Sequence, residues 1–166
     1  MATTFPTCRA FTIKYKCLSK SLRSTVTIKY GDKSIEAIAL WDTGATGTCI
    51  SKDVVNKLCL TSLGKQNMQT PSGTSTVDTY LINIILPNDV EIPDVRVCDS
   101  EIGSQGIDIL IGMDIISQGD FAVSNYRGKT VFTFRIPSKQ LTDYVEQINI
   151  SKVIGPKHGK GKRKHR

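Results

Sequence analysis

The sequence predicts a mainly β protein: a small closed or folded-over sheet that carries one or two short helices. Three observations lead to this prediction. Apolar and polar residues alternate over short stretches, turn-forming residues separate these stretches at regular intervals, and only short segments have helical spacing. The 166 residues, 39% of them apolar, are enough for one modest core and some appended segments.

The first third of the chain contains three segments with strand character. Residues 11–17 alternate apolar and polar side chains, as in a half-buried or edge strand. Residues 24–30 and 34–41 flank the turn at Gly31 and Asp32, which predicts a hairpin. The second arm ends in an apolar run, residues 37–41, so we expect a central strand buried on both faces.

The middle of the chain predicts a helix between strands. Residues 48–50 form a short strand, and Ser51 is expected to cap a helix whose apolar positions are Val54, Val55 and Leu58. A long strand follows over residues 74–86, with one apolar face. That face consists of Tyr80, Ile82, Ile84 and Leu86.

The last third adds strands and a final amphipathic segment. Strands are predicted at residues 95–98 and 107–111, followed by a helical turn at 113–117 and a hairpin over 121–134. Ser138 is expected to cap a last helix, with apolar residues at helical spacing. Those residues are Leu141, Tyr144, Val145 and Ile148.

The net charge of +7 comes from the C-terminal end. Seven of the 22 basic residues lie in residues 152–166, which leaves 15 basic against 15 acidic residues in the rest. We therefore expect four segments: an N-terminal extension with one strand (1–24), a folded domain (25–137), an amphipathic helix-like segment (138–150) and a basic disordered tail (151–166). The tail offers charge without aromatic residues, so weak polyanion contact is an alternative to plain solvation.

The positions of histidine and cysteine exclude several classes of site. Both histidines, His158 and His165, lie in the tail, so the body has no histidine for a nucleophilic triad or a histidine-containing zinc site. The five cysteines form no C-x-x-C pair, and we interpret them as reduced thiols of a cytoplasmic protein, with Cys49 and Cys59 in the core. No apolar run is long enough to span a membrane, and we expect neither metal nor cofactor.

Asp42 is the chemically distinctive position. It follows the buried run 37–41 and precedes Thr43 and Gly44, so a carboxylate leaves a rigid strand and enters a turn. All three residues favour turns, so the tripeptide alone is weak evidence of function. A second apolar run, Ile109 to Ile111, ends at Gly112 seventy residues later, with a turn at Pro71, Ser72 and Gly73 between the two.

Together these features resemble the active-site signature of single-domain, retropepsin-like aspartic proteases. The signature is an apolar run, Asp-Thr-Gly-Ala, a flap hairpin, and a second apolar run that ends in glycine before a short helix. The resemblance covers residues 25–136 and implies a closed β-barrel of the retropepsin type. It also implies a homodimer, because this chemistry needs two carboxyls that share one proton and the chain has one Asp-Thr-Gly.

The resemblance assigns roles to individual residues. Asp42 would activate a water for hydrolysis of a peptide or protein substrate, Thr43 would bond across the dimer, and the amide of Gly44 would lie beside the carboxylates. Substrate would contact Ala45, the flap tip at Pro71, Ser72 and Gly73, and the wall at Ile111. The chain departs from the family pattern at Thr46 and Gly47, where acidic residues are common, and at Met113, where an arginine is common. Asp114 is interpreted as a helix cap.

Two other readings compete with an active protease. A catalytically idle retropepsin-like module could bind peptides or only dimerise. A magnesium-dependent phosphoryl-transfer enzyme also places an aspartate after an apolar strand. That class needs a second aspartate two residues on, where this chain has Gly44, and it has alternating helices that this sequence does not predict.

Overall fold

The computed structural model describes residues 7–70 and 73–154 of the chain. The described part is mainly β. Its strands are β1 (Arg9–Lys14), β2 (Leu22–Tyr30), β3 (Lys33–Trp41), β4 (Cys49–Ser51), β5 (Gly64–Thr70), β6 (Gly73–Ile85), β7 (Glu91–Ser100), β8 (Ile109–Ile111), β9 (Asp120–Tyr126) and β10 (Lys129–Ile136). Its helices are α1 (Lys52–Leu58), α2 (Met113–Ile116) and α3 (Tyr144–Ile154), with one 3₁₀ turn at Gly103–Gln105.

Six strands close into a barrel. The larger sheet has the order β2-β3-β8-β4-β7-β6-β5, and β2 also pairs with β6 through Ile28 and Ile84, which joins the two ends. The closure removes free sheet edges, and β5 alone extends beyond it as the outer arm of the β5–β6 hairpin. The predicted closed β-barrel is confirmed.

A three-stranded sheet, β1-β10-β9, covers one side of the barrel. Strand β1 pairs along its whole length with β10, so the segment expected as an N-terminal extension contributes a strand to this sheet. Phe11, Phe132 and Phe134 surround Trp41 with ring centroids 5.0–5.6 Å from the indole. This aromatic cluster joins the small sheet to the end of β3, directly before Asp42.

Strand β3 differs from its prediction on one face. Ala37, Ala39 and Trp41 are buried, whereas Ile38 is 46% exposed and Leu40 is half-buried. The expectation of burial on both faces is therefore wrong. The barrel core covers one face of β3 only, as is common in a closed sheet with one layer inside.

The ends of helices α1 and α3 test the predicted caps. Ser51 caps α1 by accepting a hydrogen bond from the amide of Val54, as predicted. Ser138 does not cap α3. Its hydroxyl donates to Asp120, and the carboxylate of Asp143 accepts from the first amides of α3 instead.

Helix α3 lies with its apolar side chains in solvent. Tyr144, Val145 and Ile148 are all more than half exposed, and Leu141 before the helix is 99% exposed. The helix continues to Ile154, four residues into the segment expected as a disordered tail. Residues 155–166 of that tail lie outside the described residues. No helix in the described part of the chain has the length and apolar character needed to cross a bilayer.

Candidate active site

Asp42 lies where strand β3 and the short parallel strand β8 end together. Strand β3 pairs with β8 in the register Trp41↔Ile111, and the amide of Asp42 donates to the carbonyl of Ile111 at 3.0 Å. The Asp42 carboxylate is half-buried, and its Oδ1 accepts a hydrogen bond of 2.8 Å from the amide of Gly44. One carboxylate oxygen is therefore held by backbone, which fixes the side chain at the mouth of the barrel.

Residues 42–48, called here the Asp42 loop, are fastened to the start of α2 by backbone hydrogen bonds. The amide of Ala45 donates to the carbonyl of Asp42 at 3.2 Å, which closes the turn. The amide of Met113 donates to the carbonyl of Ala45 at 2.8 Å, and that of Asp114 to the carbonyl of Thr46 at 3.2 Å. The conformation of the loop is thus set by the segment that follows β8.

Gly112 permits this close approach. A Cβ atom at Gly112 would lie 2.6 Å from the carbonyl oxygen of Gly47 and 3.0 Å from that of Ala45. Both contacts are to backbone, which cannot swing aside as a side chain does. The glycine that ends the second apolar run is therefore required by packing against the Asp42 loop.

Thr48 and Asp114 form a second fastening that sequence reasoning missed. The amide and hydroxyl of Thr48 both donate to the Asp114 carboxylate, at 3.0 and 2.8 Å, and the hydroxyl accepts from the amide of Gly112 at 3.2 Å. Asp114 also accepts from the amide of Ile115, so its expected role as a helix cap is only part of what it does. Thr48 is 2% exposed, so its hydroxyl needs a hydrogen-bonding partner, but the sequence showed only a threonine close to the motif.

An open groove of about 620 Å³ runs past Asp42. Its sides are the Asp42 loop, strand β5 and strand β7. The β5–β6 hairpin, residues 64–85, is called here the flap hairpin. Asp42, Gly44 and Ala45 line it, while Thr43 is exposed beside it. Within the described residues, the Thr43 hydroxyl makes no hydrogen bond.

The remaining predicted site residues divide into three cases. Pro71 and Ser72 lie outside the described residues. Gly73 begins β6 at the far end of the flap hairpin, is exposed, and has a φ of +124° that favours glycine. Ile111 is fully buried beneath the Asp42 loop, so this chain does not present it to a substrate, and the neighbouring Leu110 lines the groove instead.

Strand β7 supplies groove residues that were not predicted. Val95 and Val97 are buried in the core, whereas Arg96, Cys98 and Ser100 line the groove. The alternation of strand side chains explains this division. The period-2 pattern was visible in the sequence, but which face lines the groove depends on the long-range pairing of β7 with β4 and β6.

Two thiols meet in the groove wall. Cys49 and Cys98 are register partners in the parallel pair β4–β7, and Cys98 Sγ lies 3.5 Å from Met68 Sδ of the flap strand. The hydrogen bond from Cys49 to Cys98 and burial both raise the pKa of Cys49. The same hydrogen bond lowers the pKa of Cys98 and outweighs the opposing effect of burial. Cys49 is half-buried, but Cys59 is exposed at the end of α1, so its predicted core position is wrong.

Comparison with known protein families gives a match over most of the barrel. Residues 26–118, more than half of the chain, match the family model described as "gag-polyprotein putative aspartyl protease". No curated protein sequence matches the chain significantly.

Among solved structures, a retropepsin-like aspartic protease from Rickettsia conorii is similar to this chain with a TM-score of 0.51 and 12% identity, over 78% of this chain and 96% of that one. The EIAV protease in complex with the inhibitor HBY-793 matches with a TM-score of 0.46 and 20% identity, over 60% and 88% of the two chains. The simian foamy virus (mac) protease matches with a TM-score of 0.41 and 22% identity, over 58% and 92%. The Rickettsia protein shares the fold.

Proposed function

The chain belongs to the gag-polyprotein aspartyl protease family, and we propose that it is an aspartic endopeptidase that works as a homodimer. The observation that carries this proposal is the placement of Asp42. Its carboxylate is half-buried at the joint end of β3 and β8, faces an open groove, and has one oxygen held by the amide of Gly44. A groove of this size accommodates an extended peptide.

The proposal of a homodimer follows from counting carboxylates. Asp42 is the one acidic side chain among the described residues that line the groove, and hydrolysis by this chemistry needs two. A second copy related by a two-fold axis would supply the other Asp42. The exposed Thr43 hydroxyl has no partner in the described part of its own chain, which fits a bond made to the second copy.

In the proposed dimer the two Asp42 carboxyls share one proton and hold a water between them. The ionised carboxylate takes a proton from the water, whose oxygen attacks the carbonyl carbon of the scissile peptide bond. The protonated carboxyl gives its proton to the carbonyl oxygen, so a neutral diol forms in place of an oxyanion. As the C–N bond breaks, the protonated carboxyl gives its proton to the leaving nitrogen, and the ionised carboxylate takes a proton from a hydroxyl of the diol, whose oxygen becomes the carbonyl oxygen of the product acid. The dyad is thus left again with one proton.

The flap hairpin completes the proposed site. Strands β5 and β6 pair from Gly64↔Thr79 to Thr70↔Gly73, and β5 faces the groove through Met68 and its neighbours. We propose that the tip, with Pro71, Ser72 and Gly73, closes over a bound peptide and excludes water. Cytoplasmic localisation and polyanion contact by residues 152–166 also stay proposals, based on the odd number of cysteines and on the charge of the tail.

The experiment is cleavage of a randomised peptide library by the full chain, read by mass spectrometry. We expect Asp42→Asn to lower cleavage by about 10²–10⁴-fold or more, since it removes an acid–base group. Asp32→Asn is the matched control, because Asp32 is exposed in the β2–β3 turn, away from the groove. Cleavage that survives Asp42→Asn would refute the proposal.

Mixing of chains tests the shared site. With a ninefold excess of the Asp42→Asn chain, random pairing leaves about a tenth of the wild-type dimers, so activity should fall to about a tenth. The same excess of the Asp32→Asn chain should not lower activity. Peptide binding by the wild type without any cleavage would identify the idle module, and a requirement for Mg²⁺ would indicate phosphoryl-transfer chemistry.

A further inference from the structure

Arg96 has an unusual place among the charged residues of this protein. It lies on the groove face of β7, two positions before Cys98, and its side chain is exposed. The parallel pair β4–β7 begins at Cys49↔Cys98, two residues beyond Arg96. Arg96 and Gly47 of the Asp42 loop line the same groove.

The other arginines of the described residues all have partners. Those partners are the Asn88 carbonyl for Arg9, the Gln105 and Gly106 carbonyls for Arg23, the Tyr126 ring for Arg127 and the Asp120 carboxylate for Arg135. Among the five, only the Arg96 side chain forms no hydrogen bond, ion pair or ring contact with the described part of the chain. The N–H donors of its planar guanidinium are therefore available to a molecule that enters the groove.

The charges of the groove favour one kind of occupant. Among the described lining residues, Asp42 and Arg96 are the charged side chains, and the others are hydroxyl, amide, sulfur-containing or apolar residues and glycines. Asp42 belongs to the proposed catalytic centre, so Arg96 is the charge available for recognition. A guanidinium in this setting binds a carboxylate through two parallel N–H···O bonds and gains little from a neutral or basic side chain.

We propose that Arg96 is a specificity-determining residue that binds an acidic side chain, Asp or Glu, of the peptide lying in the groove. This proposal rests on the proposed protease function, because it names the substrate class of the same site. In a symmetric dimer there is one Arg96 on each side of the Asp42 pair, so the preference applies to a position on either side of the scissile bond. Arg96 contacts the substrate away from the reacting atoms and takes no part in proton transfer.

The test uses octapeptide libraries with one position fixed as Glu, Gln or Lys and the others randomised. For the wild type we expect kcat/KM for the Glu library to exceed that for the Gln library about three- to tenfold at one position, as a solvent-accessible charge pair gives. Arg96→Gln should bring the two libraries to equal rates while retaining cleavage of the Gln library. Arg96→Glu should favour the Lys library. Added salt should reduce the wild-type preference.

Arg127→Gln is the matched control, since it removes the same charge from the β9–β10 turn, which is not part of the groove. It should leave the ratio of Glu to Gln cleavage unchanged. The proposal for Arg96 is overturned if the wild-type ratio of Glu to Gln cleavage is one at every position, or if the same ratio is found in Arg96→Gln. In either case, cleavage itself would still support the protease function. Dissociation of the dimer by Arg96→Gln with an unchanged ratio also overturns it, because Arg96 would then pair with the second copy.

A binding measurement separates this proposal from the catalytic one. The Asp42→Asn chain is titrated with the Glu and Gln libraries, and retained peptides are identified by mass spectrometry. Enrichment of Glu peptides that disappears in the Asp42→Asn, Arg96→Gln double variant supports the recognition role, even if the wild type cleaves nothing. Equal retention of both libraries counts against it.

Discussion

The contact between Gly112 and the Asp42 loop gives a sharp test of how the site is held. The change Gly112→Ala adds one methyl group. That group would lie 2.6 Å from the Gly47 carbonyl oxygen, 2.7 Å from its carbon and 3.0 Å from the Ala45 oxygen. The backbone φ of −95° at Gly112 suits alanine, so the effect of the change is steric.

The magnitude follows from what must move. Overpacking by one methyl against backbone costs about 1–3 kcal/mol. If the Asp42 loop shifts to relieve it, the hydrogen bonds from Met113 to Ala45 and from Gly112 to Thr48 lengthen, at about 1 kcal/mol each. We expect a total loss of about 3–5 kcal/mol, which lowers the melting temperature by roughly 6–20 °C in a chain of this size.

The assay is thermal unfolding followed by circular dichroism, with peptide cleavage measured well below the melting temperature. Gly47→Ala is the control for stability, because a Cβ there meets nothing within 4 Å and its φ is not in the left-handed region. Cleavage by Gly112→Ala should fall even in folded protein, since displacement of the loop misplaces Asp42. A Gly112→Ala chain that melts within about 1 °C of the wild type and cleaves normally would refute this reasoning.

Two further predictions concern carboxylates that hold loops. Asp114→Ala and Thr48→Val should each destabilise the protein by about 1–3 kcal/mol, and the double variant by less than the sum, because both changes remove the hydrogen bond from the Thr48 hydroxyl to the Asp114 carboxylate; additive losses in urea unfolding would argue against this pairing. Hydrogen bonds from the Ser138 hydroxyl and a backbone amide, with a neighbouring guanidinium, lower the pKa of Asp120 from 3.8 to about 2. Its contribution to stability is therefore present above about pH 4 and lost as the pH falls towards 2, so the difference in melting temperature between wild type and Asp120→Asn should shrink over that range. A difference that stays constant from pH 5 to pH 2 would contradict it.

The elements that were predicted well are those set by local patterns. Alternation placed the strands, Ser51 marked the start of α1, and the turn at Gly31 fixed the β2–β3 hairpin. Asp42 stood out because Asp-Thr-Gly follows one apolar run and a second apolar run ends at Gly112 seventy residues later. These signals depend on neighbours along the chain, which a sequence displays directly.

The features that were predicted wrongly depend on contacts distant in sequence. The exposure of Ile38 is decided by which face of β3 the barrel closes around, and that is a property of six strands together. Ser138 has the chemistry of a helix cap but donates to Asp120, eighteen residues earlier. Arg96 was missed, because its position in the groove depends on the pairing of β7 with β4. Local propensity could not have distinguished these outcomes.

A single chain meets some requirements of the proposed enzyme, and the others call for a second copy. Everything that fixes Asp42 in place comes from its own chain: the amide of Gly44, the pairing of β3 with β8, and the fastening of the loop to α2. The second carboxylate and a partner for Thr43 must come from elsewhere. Well below the dissociation constant of the proposed dimer, the melting temperature should no longer depend on protein concentration, whereas the activity per chain should keep falling with dilution, since the proposed catalysis uses two copies. This separation is why Gly112→Ala, which acts within the chain, can lower stability and activity together, whereas dilution should lower activity alone.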